Sequence, residues 1–126
     1  MDKKNDLNPS QEFLLKSFDE IVPILKALGN PSRLTILILL VNGPVSFQTL
    51  LDELKLKKSA LANHLTQLKN TGLIEKKQHG TYNITEDGKR YVFSIEKSFK
   101  DSEKVETRRK EMEQRKNLAK SFLERK

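Results

Sequence analysis

The chain has 126 residues, 36% of them apolar and 33% charged, which supports one small core and leaves some helical surface to solvent or to a second chain. Lysine and arginine number 24 against 17 acidic residues, and this surplus favours polyanionic partners, nucleic acid ahead of an anionic membrane. The lack of cysteine excludes disulfides, thiolate catalysis, iron–sulfur clusters and thiolate zinc sites, and the two histidines, His64 and His79, are too far apart in sequence to suggest a conventional metal enzyme. No metal or other cofactor is therefore expected. The N-terminus is polar without an apolar core, and no apolar run approaches a membrane span, so the reading is a soluble cytoplasmic protein with no membrane partner.

Residues 1–9 read as a disordered tail. From Gln11 onward, Phe13, Leu14, Leu15, Phe18, Ile21, Val22 and Leu25 recur at three- and four-residue intervals and predict a capped amphipathic helix with a kink or restart at Pro23. Leu28-Gly29-Asn30-Pro31 closes it. Asn30 caps the next helix and Pro31 takes its first position, where a missing N–H costs nothing. That helix, Ser32 to Val41, is apolar nearly all round and is expected in the middle of the core.

After the break at Asn42-Gly43-Pro44, Ser46 caps a short helix from Phe47 to Leu54. The connection Lys55-Leu56-Lys57-Lys58 leads to a second helix, Ser59 to Thr71, stopped by Gly72. Two short helices on a tight link form a helix-turn-helix candidate. Leu73–Lys77 and Thr81–Ile84, joined by Gln78-His79-Gly80, then change period and predict a two-stranded hairpin, the wing. Thr85, followed by Glu86 and Asp87, starts a long last helix reaching toward the C-terminus. Tyr91, Val92, Ile95 and Phe99 form its apolar stripe. Beyond Lys100 the apolar spacing thins to Val105, Met112 and Ala119, seven residues apart, a pattern that suits a thin helical seam with a second chain.

The second helix of the motif is the most informative element. On a 100° wheel Leu61, His64, Leu65 and Leu68 share one side, while Ser59, Asn63, Thr66, Gln67 and Asn70 share the other, polar and uncharged. No acidic residue occurs from Leu54 through Ile74, and residues 54–84 hold six lysines against one glutamate. Short hydrogen-bonding side chains on a helix, with cations at its ends, are what the major groove of duplex DNA requires. Asn63 and Gln67 are candidate base readers. Lys58 and Ser59 lie at the end whose free N–H groups favour a phosphate oxygen. Lys57, Lys69, Lys76 and Lys77 supply sequence-independent affinity, and His79 in the wing tip reaches the minor groove or the backbone. Ser46, Gln48 and Thr49, at the start of the preceding helix, complete the candidate DNA contacts. His64 and Arg33 are expected to serve packing and structural hydrogen bonding.

Ala27-Leu28-Gly29-Asn30-Pro31-Ser32-Arg33-Leu34-Thr35-Ile36-Leu37 resembles the "ALxxPxRLxIL" opening of ArsR-type winged-helix regulators. Ser59-Ala60-Leu61-Ala62-Asn63-His64-Leu65 with Leu68, then Gly72-Leu73-Ile74, is similar to their recognition helix and its exit into the wing. Thr81 to Lys89 resembles the "YxLTxxGK" ending of ArsR-, MarR- and PadR-like winged helices. The resemblance covers about residues 20–92. It implies a mainly α, α+β winged helix-turn-helix fold and a homodimer, formed through the first and last helices, that binds a pseudo-palindromic DNA operator and represses transcription, and it carries the reading role onto Lys58, Ser59, Ala60, Asn63 and Gln67. Phe13, Leu14, Phe18, Tyr91, Ile95, Phe99, Val105, Met112 and Ala119 are the candidate dimerisation residues. Two departures stand out: Ala62 replaces the usual serine two residues before the histidine, and Lys57 holds the usual cap position. Metal-sensing members use cysteine clusters, or His and acidic ligands on the last helix, and this chain has no cysteine and no histidine there.

The expected organisation is thus a tail, a winged helix-turn-helix domain over residues 10–92 and a helical dimerisation extension over 93–126. The competing readings are a winged-helix protein-interaction module and a non-specific architectural DNA-binding protein. An enzyme is disfavoured by the absence of a nucleophile–base set, a phosphate-binding glycine loop or paired histidines.

Overall fold

The structure, a computed structural model, describes residues 6–124; most of the tail expected over 1–9, and the last two residues of the extension, lie outside them. Helix α1, Pro9–Lys16, starts with Pro9, inside the expected tail, because Asn8 caps it: the Asn8 side chain accepts from the Gln11 N–H at 2.8 Å while the Gln11 side chain accepts from the Asn8 N–H at 2.9 Å. Helix α2, Phe18–Leu28, follows. The break between them falls at Ser17 and not at Pro23, which sits within α2. Pro23 removes the bond to the Asp19 carbonyl, and Asp19 is on the exposed surface, so the helix tolerates the loss.

Asn30 caps α3, Pro31–Leu40, through the Arg33 N–H at 3.0 Å, with Pro31 at the first position as the sequence predicts. Ile36, Leu37 and Leu40 of α3 are fully buried, but Ile38 is 54% exposed, so this helix is not enclosed all round as its composition suggests. A two-residue strand β1, Val45–Ser46, leads into α4, Phe47–Leu54, and a three-residue link into α5, Lys58–Asn70. The link turns on Lys55, held in the left-handed region at φ 54°, while Lys58, expected in the link, is already helical.

Strands β2, Ile74–Lys76, and β3, Thr81–Ile84, form the wing, and β1 pairs with β3 as well, giving an antiparallel sheet in the order β1-β3-β2 rather than two strands. The register places Ile74 opposite Ile84 and Lys76 opposite Tyr82 on one face, and Glu75 opposite Asn83 on the other. Leu73, Ile74, Tyr82 and Ile84 join Leu50 of α4 and Leu61, Leu65 and Leu68 of α5 in the core. Burying each leucine is worth about 2 kcal/mol, so the three on α5 fix which face of that helix points outward.

Helix α6, Glu86–Lys100, is capped by the Thr85 hydroxyl, which accepts from the Gly88 N–H at 3.0 Å and donates to the Gly72 carbonyl at 2.7 Å. The last helix does not run through. It stops at Asp101, and Ser102 caps a separate α7, Glu103–Glu124, accepting from the Val105 N–H at 3.4 Å. The chain divides into two compact units, one ending at Lys89 and the other starting at Arg90. Among the described residues no single helix is long and apolar enough to cross a membrane.

Candidate nucleic-acid interface

Helix α5 separates its two faces by period alone. With Leu61, Leu65 and Leu68 turned into the core, Ser59, Asn63, Thr66, Gln67 and Asn70 are all exposed on the opposite side. Of these, Thr66 returns its hydroxyl to the Ala62 carbonyl at 3.0 Å, which leaves Ser59, Asn63, Gln67 and Asn70 as the outward hydrogen-bonding set. Asn70 was not among the candidate contacts, although the wheel places it on their face. Ala60 is half-buried at the edge of this surface and offers only its methyl group.

The helix start carries no side-chain cap, because Lys57 occupies that position. The Leu61 N–H is the first to find an intrahelical acceptor, at the Lys57 carbonyl 3.0 Å away. The N–H groups of Lys58, Ser59 and Ala60 therefore point out at the positive end of the dipole, the arrangement that takes an anion. Lys57 and Lys58 are exposed beside it and Lys69 is exposed in the last turn. The exit is set by Gly72 at φ 75°: its N–H reaches the Lys69 carbonyl and the Leu73 N–H the Leu68 carbonyl, both at 3.0 Å, which turns the chain directly into the wing.

A structural clip holds the other side of α5. Arg33 donates from Nε to the Ala27 carbonyl at 3.3 Å and from Nη2 to the Lys26 carbonyl at 3.1 Å, closing the C-terminal end of α2, while Nη1 lies 3.4 Å from His64 Nδ1. His64 accepts in that contact with its own proton on Nε2. Desolvation first, and the Arg33 charge second, hold the imidazole below its ordinary pKa. Both residues therefore have the structural role expected of them.

On the wing, Lys76 and Lys77 are exposed but the pleat sends them to opposite faces. Lys77 pairs with Glu75 at 2.9 Å, and that hydrogen bond and charge lower the Glu75 carboxyl, helped by Asn83. At the tip His79 adopts φ 62° and Gly80 φ 69°, with the Lys77 N–H donating to the Thr81 carbonyl at 2.8 Å to close the turn; His79 is exposed. The start of α4 is less free. The Ser46 hydroxyl accepts from the Thr49 N–H at 3.1 Å and donates to the Thr49 hydroxyl at 2.9 Å, so it acts as the helix cap and not as an open contact. Gln48, exposed, donates to Asp52 at 2.9 Å.

The same stretch of the chain matches a known family. The model for "Bacterial regulatory protein, arsR family" matches residues 30–76, which span α3 to the wing. HTH-type transcriptional regulator MJ1325 of Methanocaldococcus jannaschii is 36% identical over 71 residues, covering 56% of this chain and 80% of that protein. The chain belongs to the ArsR family. Its fold is that of HlyU from Vibrio cholerae (TM-score 0.57, 31% identity, 65% of this chain and 94% of that one) and of the transcriptional repressor BigR from Xylella fastidiosa (TM-score 0.58, 26% identity, 70% and 94%). This ArsR-family protein is accordingly a DNA-binding transcriptional regulator and not an enzyme.

Proposed function

We propose that this ArsR-family protein acts as a homodimer on a pseudo-palindromic operator, with one α5 in each of two successive major grooves and the wings on the backbone or in the minor groove. The observation that carries the reading is the outward face of α5: Ser59, Asn63 and Gln67 exposed without charge, beside N–H groups left open by Lys57. Asn63 and Gln67 read base edges, Ala60 meets a thymine methyl, and Lys57, Lys58, Lys69, Lys76, Lys77 and His79 meet phosphates. Gln48 and Thr49 adjoin as backbone contacts.

The dimer is formed by Phe13, Leu14 and Phe18 on the first two helices and by Tyr91, Ile95 and Phe99 on α6, large apolar side chains that stay exposed in one chain. Val105, Met112 and Ala119 share a face of α7, but cations flank them on both sides, so pairing that face with its own copy sets like charges against each other. Repression follows from occupation of the operator, which excludes other proteins from the same duplex, and places the action in the cytoplasm, where the DNA is. Selection of bound sequences from a random duplex pool tests the proposal. A two-fold symmetric consensus is the expected result; an asymmetric consensus, or none, would reject it.

A further inference from the structure

Helix α7 keeps its charges in two separate halves. At 100° per residue, Lys104, Arg108, Arg109, Arg115, Lys116 and Lys120 fall on one half with Val105, Met112 and Leu123, and no carboxylate joins them. Glu103, Glu106, Glu111, Glu113 and Glu124 all occupy the other half, with Lys110 as its only cation. A helix stabilised by its own surface interleaves the two signs at three- and four-residue spacing. Here one such pair forms, Arg109 with Glu106 at 2.6 Å on the border of the halves. Lys104, Arg108, Arg115, Lys116 and Lys120 have no carboxylate partner among the described residues.

The occupant of this half must be anionic. A second α7 is opposed by charge, since the apolar stripe has cations on both flanks and either helix direction brings cation to cation. An anionic bilayer asks for a broad apolar face to sink below the headgroups. Val105, Met112 and Ala119 provide one side chain per two turns, and Leu118, Phe122 and Leu123 add an apolar patch only in the last two turns, away from the cations at Lys104, Arg108 and Arg109. A rod of 22 residues, about 33 Å long with cations along one side, matches a line of phosphates instead.

We propose that α7 binds the sugar–phosphate backbone of duplex DNA flanking the operator, with Arg108, Arg115 and Lys116 as its central contacts. The inference rests on the operator-binding reading and adds affinity that α5 and the wing do not supply. Its test uses the full-length protein and the selected site in two duplexes, one ending at the consensus and one extended by about 12 base pairs on each side, roughly one further turn. Extension should tighten binding about tenfold and steepen the slope of log affinity against log salt by about 0.9 per added phosphate contact.

The combined variant Arg108→Gln, Arg115→Gln, Lys116→Gln should lose both gains and keep wild-type affinity for the short duplex. Glu111→Gln with Glu113→Gln, on the other half, should keep both gains and serves as the control for helix integrity. An extension effect that survives the triple substitution overturns the inference. So does a triple variant that sediments as a monomer, or one that loses only binding to phosphatidylserine vesicles. If the wild type binds the short duplex and gains nothing from extension, the inference alone fails; if it binds neither duplex, the operator reading fails with it.

Discussion

At the residue scale, the proposed function gives Asn63 and Lys77 different roles, specificity to the first and affinity to the second. Asn63 stands exposed on α5 with an amide able to form two hydrogen bonds to one base edge, so on the proposed reading Asn63→Ala should cost about 1–3 kcal/mol on the selected site and little on random duplex. Lys77 must exchange Glu75 for a phosphate, and an exposed pair of this kind is weak, so on the proposed reading Lys77→Ala should weaken both duplexes equally. Binding of each variant to the two duplexes distinguishes the roles; equal losses of discrimination would contradict them. His64 gives a pH dependence whose sign is fixed. Its folded pKa lies below that of the unfolded chain, about 6.5, so its contribution to stability is complete above that value and declines as the pH falls through it toward the folded value. Melting at pH 7.5 and 5.5 should show a loss on the acid side that His64→Gln reduces; an unchanged loss would assign it to other groups.

At the element scale, the junctions carry the strain and the close approaches. Lys55 pays the left-handed penalty in the link before α5, and glycine relieves it at some entropic cost, so Lys55→Gly should raise stability by up to about 1 kcal/mol. Gly88 is the opposite case: a Cβ there would lie 2.3 Å from the Leu73 carbonyl oxygen and 2.7 Å from the Ile84 side chain. Gly88→Ala should therefore cost about 3 kcal/mol, read as a lowered denaturant midpoint with the slope retained. Most elements were legible in the sequence because their signals are local. Asn30-Pro31, Ser46 and Gly72 mark the ends of α3, α4 and α5 with residues whose chemistry serves only at ends. What was not legible depended on partners distant in sequence or on competition between caps. Strand β1 is two residues long and exists only because β3 lies beside it. Asn8 capped α1 inside the expected tail by forming a reciprocal pair with Gln11, and Ser102 interrupted an otherwise helical run by capping α7. The α5 face and the cap at Ser46 were both readable, whereas the bond from the Ser46 hydroxyl to the Thr49 hydroxyl, which takes Ser46 out of the open contacts, needed the folded geometry.

At the scale of the whole molecule, the proposed operator binding depends on assembly as a dimer. A dimer that neutralises about ten phosphates should show a slope of log affinity against log salt near minus nine, whereas a slope near zero would remove DNA as the partner. Phe18 is 57% exposed in the single chain and so contributes little to its internal stability. Phe18→Asp should leave the fold intact, shift sedimentation from dimer to monomer and abolish cooperative occupation of the two half-sites. A variant that still sediments as a dimer would move the interface away from α1 and α2.

Arg33 joins α2 to α5 directly. Because a single guanidinium holds two carbonyls in the last turn of α2 and the imidazole of α5, a displacement of α2 has to be either followed by α5 or absorbed by breaking that three-way tie. An effector acting on the first two helices would thus need no route through the sheet to change operator occupancy, and Arg33 would be the mechanical link through which it is felt.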